Sequence, residues 1–109
     1  MVKEIKFAGM VAFPGEVSGR AFLVKNDRDV KDFEEGRILI AVATYPEYIH
    51  AMLKAKAIVT ETGGLLSHSA IVSREFKIPC VVGVDGIMNK AKNNDLIMIK
   101  NGGIVVRRE

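Results

Sequence analysis

The chain has 109 residues, of which 49% are hydrophobic and 27% charged, and its formal net charge is +3. This length and composition predict one soluble globular domain, 1–109, and argue against disorder. The charge excess is small and aromatic residues make up only 6% of the chain, which disfavours nucleic-acid binding. A single cysteine, Cys80, excludes an internal disulfide and a cysteine-based zinc site.

Membrane association is also disfavoured by the sequence. No apolar run approaches the ~18–20 residues that a membrane-spanning helix needs. The apolar stretch 7–16 is too short for a convincing signal peptide and ends in Pro-Gly-Glu. We therefore expect a cytoplasmic protein that binds neither membranes nor nucleic acid.

The first half of the chain predicts strands joined by an exposed connection. Residues 1–9 predict a short edge strand or a lead-in segment, and small or apolar residues that alternate along 17–23 predict a strand with one buried face. The charged stretch 25–36 lacks periodicity and predicts a loop. The continuous apolar run 37–43 then predicts a strand that is covered on both faces.

Two helices are predicted in the middle of the chain. Residues 46–56 have amphipathic spacing after a first-turn proline, and Thr44 is a candidate cap for that turn. The stretch 57–60 predicts a short buried strand. A second helix is predicted over 67–77, because the residue that precedes Pro79 is pushed out of the helical region.

The last part of the chain predicts strands again. Residues 80–83 predict a short strand, 85–94 a turn or short helix, and 95–106 a hairpin whose turn, 100–103, contains Asn-Gly-Gly. Strands, then alternating strands and helices, then a closing hairpin predict a compact mixed α/β domain. The order of the strands does not follow from these patterns.

A glycine pair lies where the predicted strand 57–60 leads into the second helix. A strand, a glycine loop and a helix N-terminus together present backbone N–H groups and a positive dipole end, which suits a phosphate group. The positions of Gly63 and Gly64 match neither of the common nucleotide-binding glycine motifs. In place of a phosphate-binding lysine, this stretch has His68.

His68 is the candidate catalytic residue. A helix dipole disfavours the imidazolium ion, so the neutral ring keeps a nitrogen lone pair that can attack phosphorus. The same helix end would stabilise the phosphorylated ring, with hydrogen bonds from Ser67, Ser69 and the N–H groups of Gly63 and Gly64.

From the residues alone, a structural interpretation competes with this catalytic one. Ser67 is a good helix N-cap, and Gly63 and Gly64 suit a tight turn. An isolated histidine beside serines is often a surface residue, and His50, on the predicted first helix, is interpreted in that way. No cluster of His, Asp or Glu has metal-ligand spacing.

Residues 63–83 resemble the phosphohistidine signature of the PEP-utilising enzymes, a family that includes phosphoenolpyruvate synthase and pyruvate phosphate dikinase. The matching positions are Gly63-Gly64, Ser67-His68, Ala70-Ile71, Arg74-Glu75, Ile78-Pro79 and Val81-Val82-Gly83. The stretches 13–21, 38–48 and 100–106 resemble other parts of the same mobile domain. The resemblance implies a swivelling β/β/α fold in which the motif histidine, His68, is transiently phosphorylated.

The resemblance also implies partners. Mobile domains of this family work beside an ATP-grasp nucleotide-binding domain and a PEP/pyruvate-binding barrel, and neither fits within 109 residues. We therefore expect other chains to supply both, and to hold Mg-ATP and PEP or pyruvate. This chain itself is expected to bind no cofactor and no metal, and to act as the phosphotransferase component between those partners.

One position departs from the family pattern. The family commonly has threonine two residues before the histidine, where this chain has Leu66. That departure favours an alternative, a non-catalytic interaction or regulatory domain that retains the fold. A second alternative is a different phosphorelay, such as a sugar-phosphotransferase or antibiotic-phosphorylating system.

Overall fold

The computed structural model describes residues 2–109, and within them it contains eight strands and four α-helices. The strands are β1 Lys3–Ala8, β2 Met10–Phe13, β3 Val17–Leu23, β4 Ile38–Ala41, β5 Ala57–Thr60, β6 Cys80–Val82, β7 Leu96–Lys100 and β8 Gly103–Arg108. The helices are α1 Asp27–Asp32, α2 Ile49–Lys54, α3 His68–Phe76 and α4 Ile87–Lys90. A 3-10 turn, Pro46–Tyr48, precedes α2. None of these helices is long and apolar enough to cross a membrane.

The strands form one curled sheet in the order β1-β8-β7-β3-β4-β5-β6-β2. Strand β3 joins two halves of it, because Val17–Arg20 pairs antiparallel with β7 and Ala21–Leu23 pairs parallel with β4. The first half, β1-β8-β7-β3, is antiparallel throughout. In the second half β3, β4, β5 and β6 are parallel, and β2 closes the edge antiparallel to β6.

Side chains of the parallel strands alternate between two buried clusters. In β4, Ile38 and Ile40 pack with Ile97 and Ile104 of the antiparallel half. Leu39, from the same strand, packs on the opposite face with side chains of α2 and α3. The domain therefore has three layers, sheet half on sheet half on helices, which confirms the predicted β/β/α architecture and explains why these strands are apolar on both faces.

The elements with strong local patterns were predicted correctly. These are the edge strand β1, the strands β3 to β6, the helix α3 and the closing hairpin β7–β8. In the hairpin turn, Asn101 and Gly102 adopt φ of 50° and 81°. Helix α3 ends at Phe76, and its C-cap residue Lys77, two positions before Pro79, has a left-handed φ of 58°.

Three predictions were wrong in whole or in part. The stretch 25–36 is not all loop, because Asn26 caps helix α1 by accepting a hydrogen bond from the Asp29 N–H at 2.9 Å. The first predicted helix, 46–56, begins as a 3-10 turn and ends at Lys54. Strand β2 was missed, since its pairing partner β6 lies about 70 residues away along the chain. Met1, in the predicted edge strand, lies outside the described residues.

Candidate functional site

The loop between β5 and α3 is shaped by one glycine. Gly63 has φ of +98°, a left-handed conformation that glycine adopts without strain. A Cβ atom at this position would lie 3.0 Å from both Cβ and Oγ of Ser67. The loop then turns tightly, and the Ser67 N–H donates to the Gly64 carbonyl at 3.1 Å. Gly63 is therefore required both for its backbone angle and for the close approach of Ser67.

Helix α3 begins at His68, and Ser67 is its N-cap. The Ser67 Oγ accepts a hydrogen bond from the Ala70 N–H at 3.4 Å, as the capping interpretation predicted. The helix has nine residues and packs against β2, β5 and β6. The half-buried His68 ring thus lies at the positive end of a well-anchored helix dipole.

A buried threonine from a different loop holds the histidine ring. Thr44 follows β4, and its Oγ1 lies 2.9 Å from His68 Nδ1 and 2.5 Å from Ser69 Oγ. The Thr44 and Ser69 residues are only 4% and 3% exposed. This hydroxyl pair connects the helix to the neighbouring strand end, and one of the ring nitrogens is engaged by it.

The prediction that Thr44 caps the following turn was wrong. The 3-10 turn has Tyr45 at its N-cap position and no side-chain capping bond, and the Thr44 hydroxyl contacts His68 and Ser69. Its place could have been found from the sequence. The carboxyl ends of adjacent parallel strands meet at one edge of a sheet, and Thr44 follows one such strand closely.

Two charged side chains fix the loop that precedes α3. Arg74 donates from Nη2 to the Leu65 carbonyl at 2.6 Å, across one side of the loop. Glu61 accepts from the Met88 N–H at 3.0 Å and so ties the loop to α4. Leu66, at the position where the family commonly has threonine, is 86% exposed. The loop backbone is therefore restrained while its apolar tip faces outward.

The structure brings the predicted site residues together unevenly. Gly63, Gly64 and Ser67 lie in the loop that leads directly to His68, but the Ser69 hydroxyl is buried and bonded to Thr44. Direct contacts of these residues with a phosphoryl group stay predictions.

Other candidate groups do not join the site. His50 is exposed on α2. Cys80 is buried, and burial raises the pKa of its thiol to about 11, so the thiol is unreactive near neutral pH. Among residues 2–109 there is no cluster of three or more His, Cys, Asp or Glu side chains placed to hold a metal ion.

Comparison with known proteins identifies the fold and the motif together. The family described as "PEP-utilising enzyme, mobile domain" matches residues 33–108, which include Thr44, the glycine loop and all of α3. The chain belongs to this family.

The relatives are much longer proteins, and only a small part of each matches this chain. The probable phosphoenolpyruvate synthase of Methanothermobacter thermautotrophicus is 39% identical over 104 residues, 94% of this chain and 15% of that protein. The phosphoenolpyruvate synthase of Pyrococcus furiosus is 40% identical over 96 residues, 88% of this chain and 12% of that protein. The mobile domain therefore spans about an eighth to a seventh of the length of these relatives.

One solved structure is similar to this domain over most of its length. The solution structure of Enzyme I superposes with a TM-score of 0.59 and 30% sequence identity, covering 71% of this chain and 33% of that one. The likeness agrees with the mixed α/β fold of this domain.

Proposed function

We propose that this mobile domain carries a phosphoryl group on Nε2 of His68. The observation that carries the proposal is the 2.9 Å contact between His68 Nδ1 and Thr44 Oγ1. It leaves Nε2 without a hydrogen-bond partner among residues 2–109, on a half-buried ring at the start of a helix. The free nitrogen is therefore the one available to a phosphoryl donor.

The transfer step follows from this geometry. The Nε2 lone pair forms the new bond to phosphorus while the bond between phosphorus and the donor oxygen breaks, and that oxygen keeps the electron pair. During the attack the ring carries its proton on Nδ1. The resulting ring cation then donates from Nδ1 to Thr44 Oγ1, which keeps the ring in place. The reverse sequence delivers the group to an acceptor.

The helix start and the glycine loop would stabilise the transferred group. The positive end of α3 favours negative charge, and unpaired N–H groups of its first turn are donors. Ser67 Oγ is held by a long capping bond of 3.4 Å and is free to donate its own proton to a phosphoryl oxygen. Because the Ser69 hydroxyl is buried against Thr44, we propose that Ser69 acts through its contact with Thr44 and does not touch the phosphoryl group.

The partners are proposed from the relatives. A carrier on a mobile domain lets two separate sites share one phosphoryl group by covalent transfer. We infer that the sites belong to an ATP-grasp domain holding Mg-ATP and to a barrel holding PEP or pyruvate, on the same chain or on other chains. The likeness to Enzyme I supports a second candidate, a sugar-phosphotransferase relay, which would use the same histidine with a different acceptor.

The test is phosphoryl labelling of the purified chain. Radiolabelled PEP or ATP is supplied together with a phosphoenolpyruvate synthase whose own mobile-domain histidine has been replaced. We expect an acid-labile, alkali-stable label on the wild type and at least a hundredfold less on His68→Ala. Labelling of His68 by both donors, PEP and ATP, would favour the synthase role over the sugar relay, because the relay needs no ATP.

The matched control is His50→Ala, which removes the second imidazole of the chain from an exposed site on α2. It should be labelled like the wild type. Equal labelling of His68→Ala, or no labelling of the wild type by either donor, would contradict the proposal.

A further inference from the structure

The loop that leads into β7 forms one wall of a positively charged cleft. The cleft has a volume of about 420 Å³, and its lining includes four cationic side chains and two carboxylates. The cations are Arg20, Lys92, Arg107 and Arg108, and the carboxylates are Asp95 and Glu109. The excess of two positive charges matches the charge of a phosphate group near neutral pH, which is close to −2.

The sheet places two of the arginines on either side of one apolar side chain. Leu96 of β7 is paired with Arg107 on one neighbouring strand and with Arg20 on the other. Residues directly opposite one another in antiparallel strands have their side chains on the same face. Because neighbouring strands are about 4.8 Å apart, the two arginine backbones are about 10 Å apart. Both arginines are exposed, and both are long enough to reach one anion above Leu96.

Two asparagines of the loop add neutral donors to the cleft. Asn93 Oδ1 accepts from the Leu23 N–H at 2.7 Å, and Asn94 Oδ1 accepts from Arg37 Nη2 at 2.6 Å. A backbone N–H and a guanidinium can only donate, so these contacts identify the oxygen of each amide. The NH₂ groups of both asparagines are left without an acceptor among residues 2–109. Both residues are exposed and line the cleft.

Hydrogen bonds hold this loop in place without a ligand. Both Asp95 oxygens are bonded, to Arg108 and to the Lys92 N–H, so this carboxylate is already neutralised. Ala21 of β3 donates to the Asp95 carbonyl and accepts from the Asn94 N–H, each at 2.9 Å. Donors that are fixed in advance lose less conformational entropy when an anion binds.

We propose that this cleft binds a doubly charged phosphate group. The phosphate lies over Leu96 between Arg20 and Arg107, because planar guanidinium groups bond pairs of phosphate oxygens. The amide groups of Asn93 and Asn94 donate to the remaining oxygens. The volume is in the range of small-molecule sites, about 300–1,000 Å³, so we expect the phosphate to belong to a monoester whose organic part fills the rest of the cleft.

The cleft is separate from the candidate site around His68. Arg37, which donates to Asn94, immediately precedes β4, whereas Thr44, which contacts His68, follows the same strand. The two sites are therefore associated with opposite ends of β4. A phosphate ester in the cleft is a ligand additional to any group on His68, and its binding does not depend on phosphoryl transfer.

The test is a titration of the ¹⁵N-labelled chain, followed by ¹H–¹⁵N correlation spectra near neutral pH and at constant ionic strength. The probes are adenosine 5′-monophosphate (AMP), inorganic phosphate and adenosine. We expect AMP to shift the side-chain NH₂ signals of Asn93 and Asn94 with a Kd of about 1 mM or lower. Inorganic phosphate should shift the same signals about threefold more weakly, and adenosine should leave them unchanged.

Charge variants locate the binding. Arg20→Gln and Lys92→Gln should each weaken AMP binding about tenfold, whereas Glu109→Gln removes a negative charge from the lining and should tighten it about twofold. Lys100→Gln is the matched control. Lys100 is exposed on the same strand and face as Leu96 but lies outside this cleft, so its loss should leave the Kd for AMP unchanged.

The outcomes separate the sources of the phosphate and the alternatives to it. Equal affinity for AMP and inorganic phosphate would support the phosphate site and assign it to the free ion. Unchanged Asn93 and Asn94 signals with both probes, or equal weakening by Lys100→Gln and Arg20→Gln, would overturn the proposal. A hexaglutamate peptide that shifts the same signals with a lower Kd than AMP would overturn it in favour of an acidic protein partner.

Discussion

At the scale of single residues, the site depends on a threonine that the motif does not contain. Thr44 supplies the Nδ1 contact that orients the His68 ring, and it is buried, so water cannot take its place. A nucleophile that is free to rotate loses much of the advantage of a fixed reacting geometry. Under the proposed function, the threonine hydroxyl is therefore expected to affect transfer separately from its effect on stability.

Thr44→Val tests this separation. It keeps the shape of the side chain and removes the hydroxyl, so we expect phosphoryl transfer to fall about ten- to a hundredfold. The free energy of unfolding should fall by about 1–2 kcal/mol. Transfer is measured by initial labelling rate and stability by urea unfolding.

The matched control is Thr60→Val. Thr60 is 1% exposed and donates to the Thr62 carbonyl at 2.8 Å, without a contact to His68. It should show a similar loss of stability and much less loss of transfer. Equal transfer losses in both variants would assign the effect of Thr44 to stability alone.

At the scale of elements, the junction of β5 and α3 places the histidine. The glycine loop reverses the chain within a few residues, and Ser67 caps the helix as it starts. Each part depends on the other, since the left-handed Gly63 brings the loop within contact distance of Ser67. A change in the loop should therefore alter both the cap and the position of His68.

Gly63→Ala combines a left-handed backbone with a close contact. We expect it to lower the free energy of unfolding by about 2–3 kcal/mol, from strain at φ of +98° and from the 3.0 Å approach to Ser67. The labelling rate should fall at least tenfold, because the start of α3 is displaced.

Gly36→Ala separates the two causes. Gly36 has a similar φ of +86°, but a Cβ there would meet nothing within 4 Å. Its expected cost is about 1 kcal/mol from backbone strain, with labelling unchanged. Equal effects of the two substitutions on stability and labelling would show that the contact with Ser67 does not matter.

At the scale of the whole molecule, an ion pair between a buried carboxylate and a partly exposed guanidinium connects the start of β7 to the end of β8. Asp95, 4% exposed, precedes β7 and accepts from Arg108 Nε at 2.8 Å and Nη2 at 2.7 Å. It also accepts from the Lys92 N–H at 2.8 Å. The hydrogen bonds from Arg108, opposed by desolvation, hold the pKa of the Asp95 carboxyl below its ordinary value.

The pH dependence follows from the direction of that shift. A carboxyl with a lowered pKa in the folded state contributes stability that is complete above its unfolded value, about 3.9, and is lost as the pH falls through its folded value. We expect Asp95→Asn to lower the Tm at pH 7 by roughly 5–10 °C. The difference in Tm from the wild type should shrink below about pH 4.

Glu4→Gln serves as the comparison for this measurement. Glu4 pairs with Arg107 at 3.6 Å on the neighbouring strands, and both side chains are 43% exposed. Exposed pairs contribute little, so its Tm should stay close to that of the wild type. A difference for Asp95→Asn that is independent of pH, measured by thermal unfolding from pH 2 to 7, would contradict the assigned role of the carboxylate.

Local patterns in the sequence were enough to predict most of the strands and helices and part of the candidate site. The apolar runs of β4 and β5, the capped start of α3 and the hairpin turn are each specified within a few neighbouring residues. His68 and Ser67 could be placed at a helix start for the same reason. The family resemblance then supplied the phosphocarrier hypothesis, which these patterns alone left open.

Tertiary structure determined which residues that are distant in the sequence come into contact. Thr44 reaches His68 across 24 positions only because β4 and β5 are adjacent and parallel, so that the loops after them meet. The pairing of β2 with β6 and the burial of Ser69 against Thr44 likewise depend on how the layers pack. Residue types and their spacing determine the local elements. The order of the strands in the sheet determines which loops share an edge, and that order is set by the burial of two apolar faces at once.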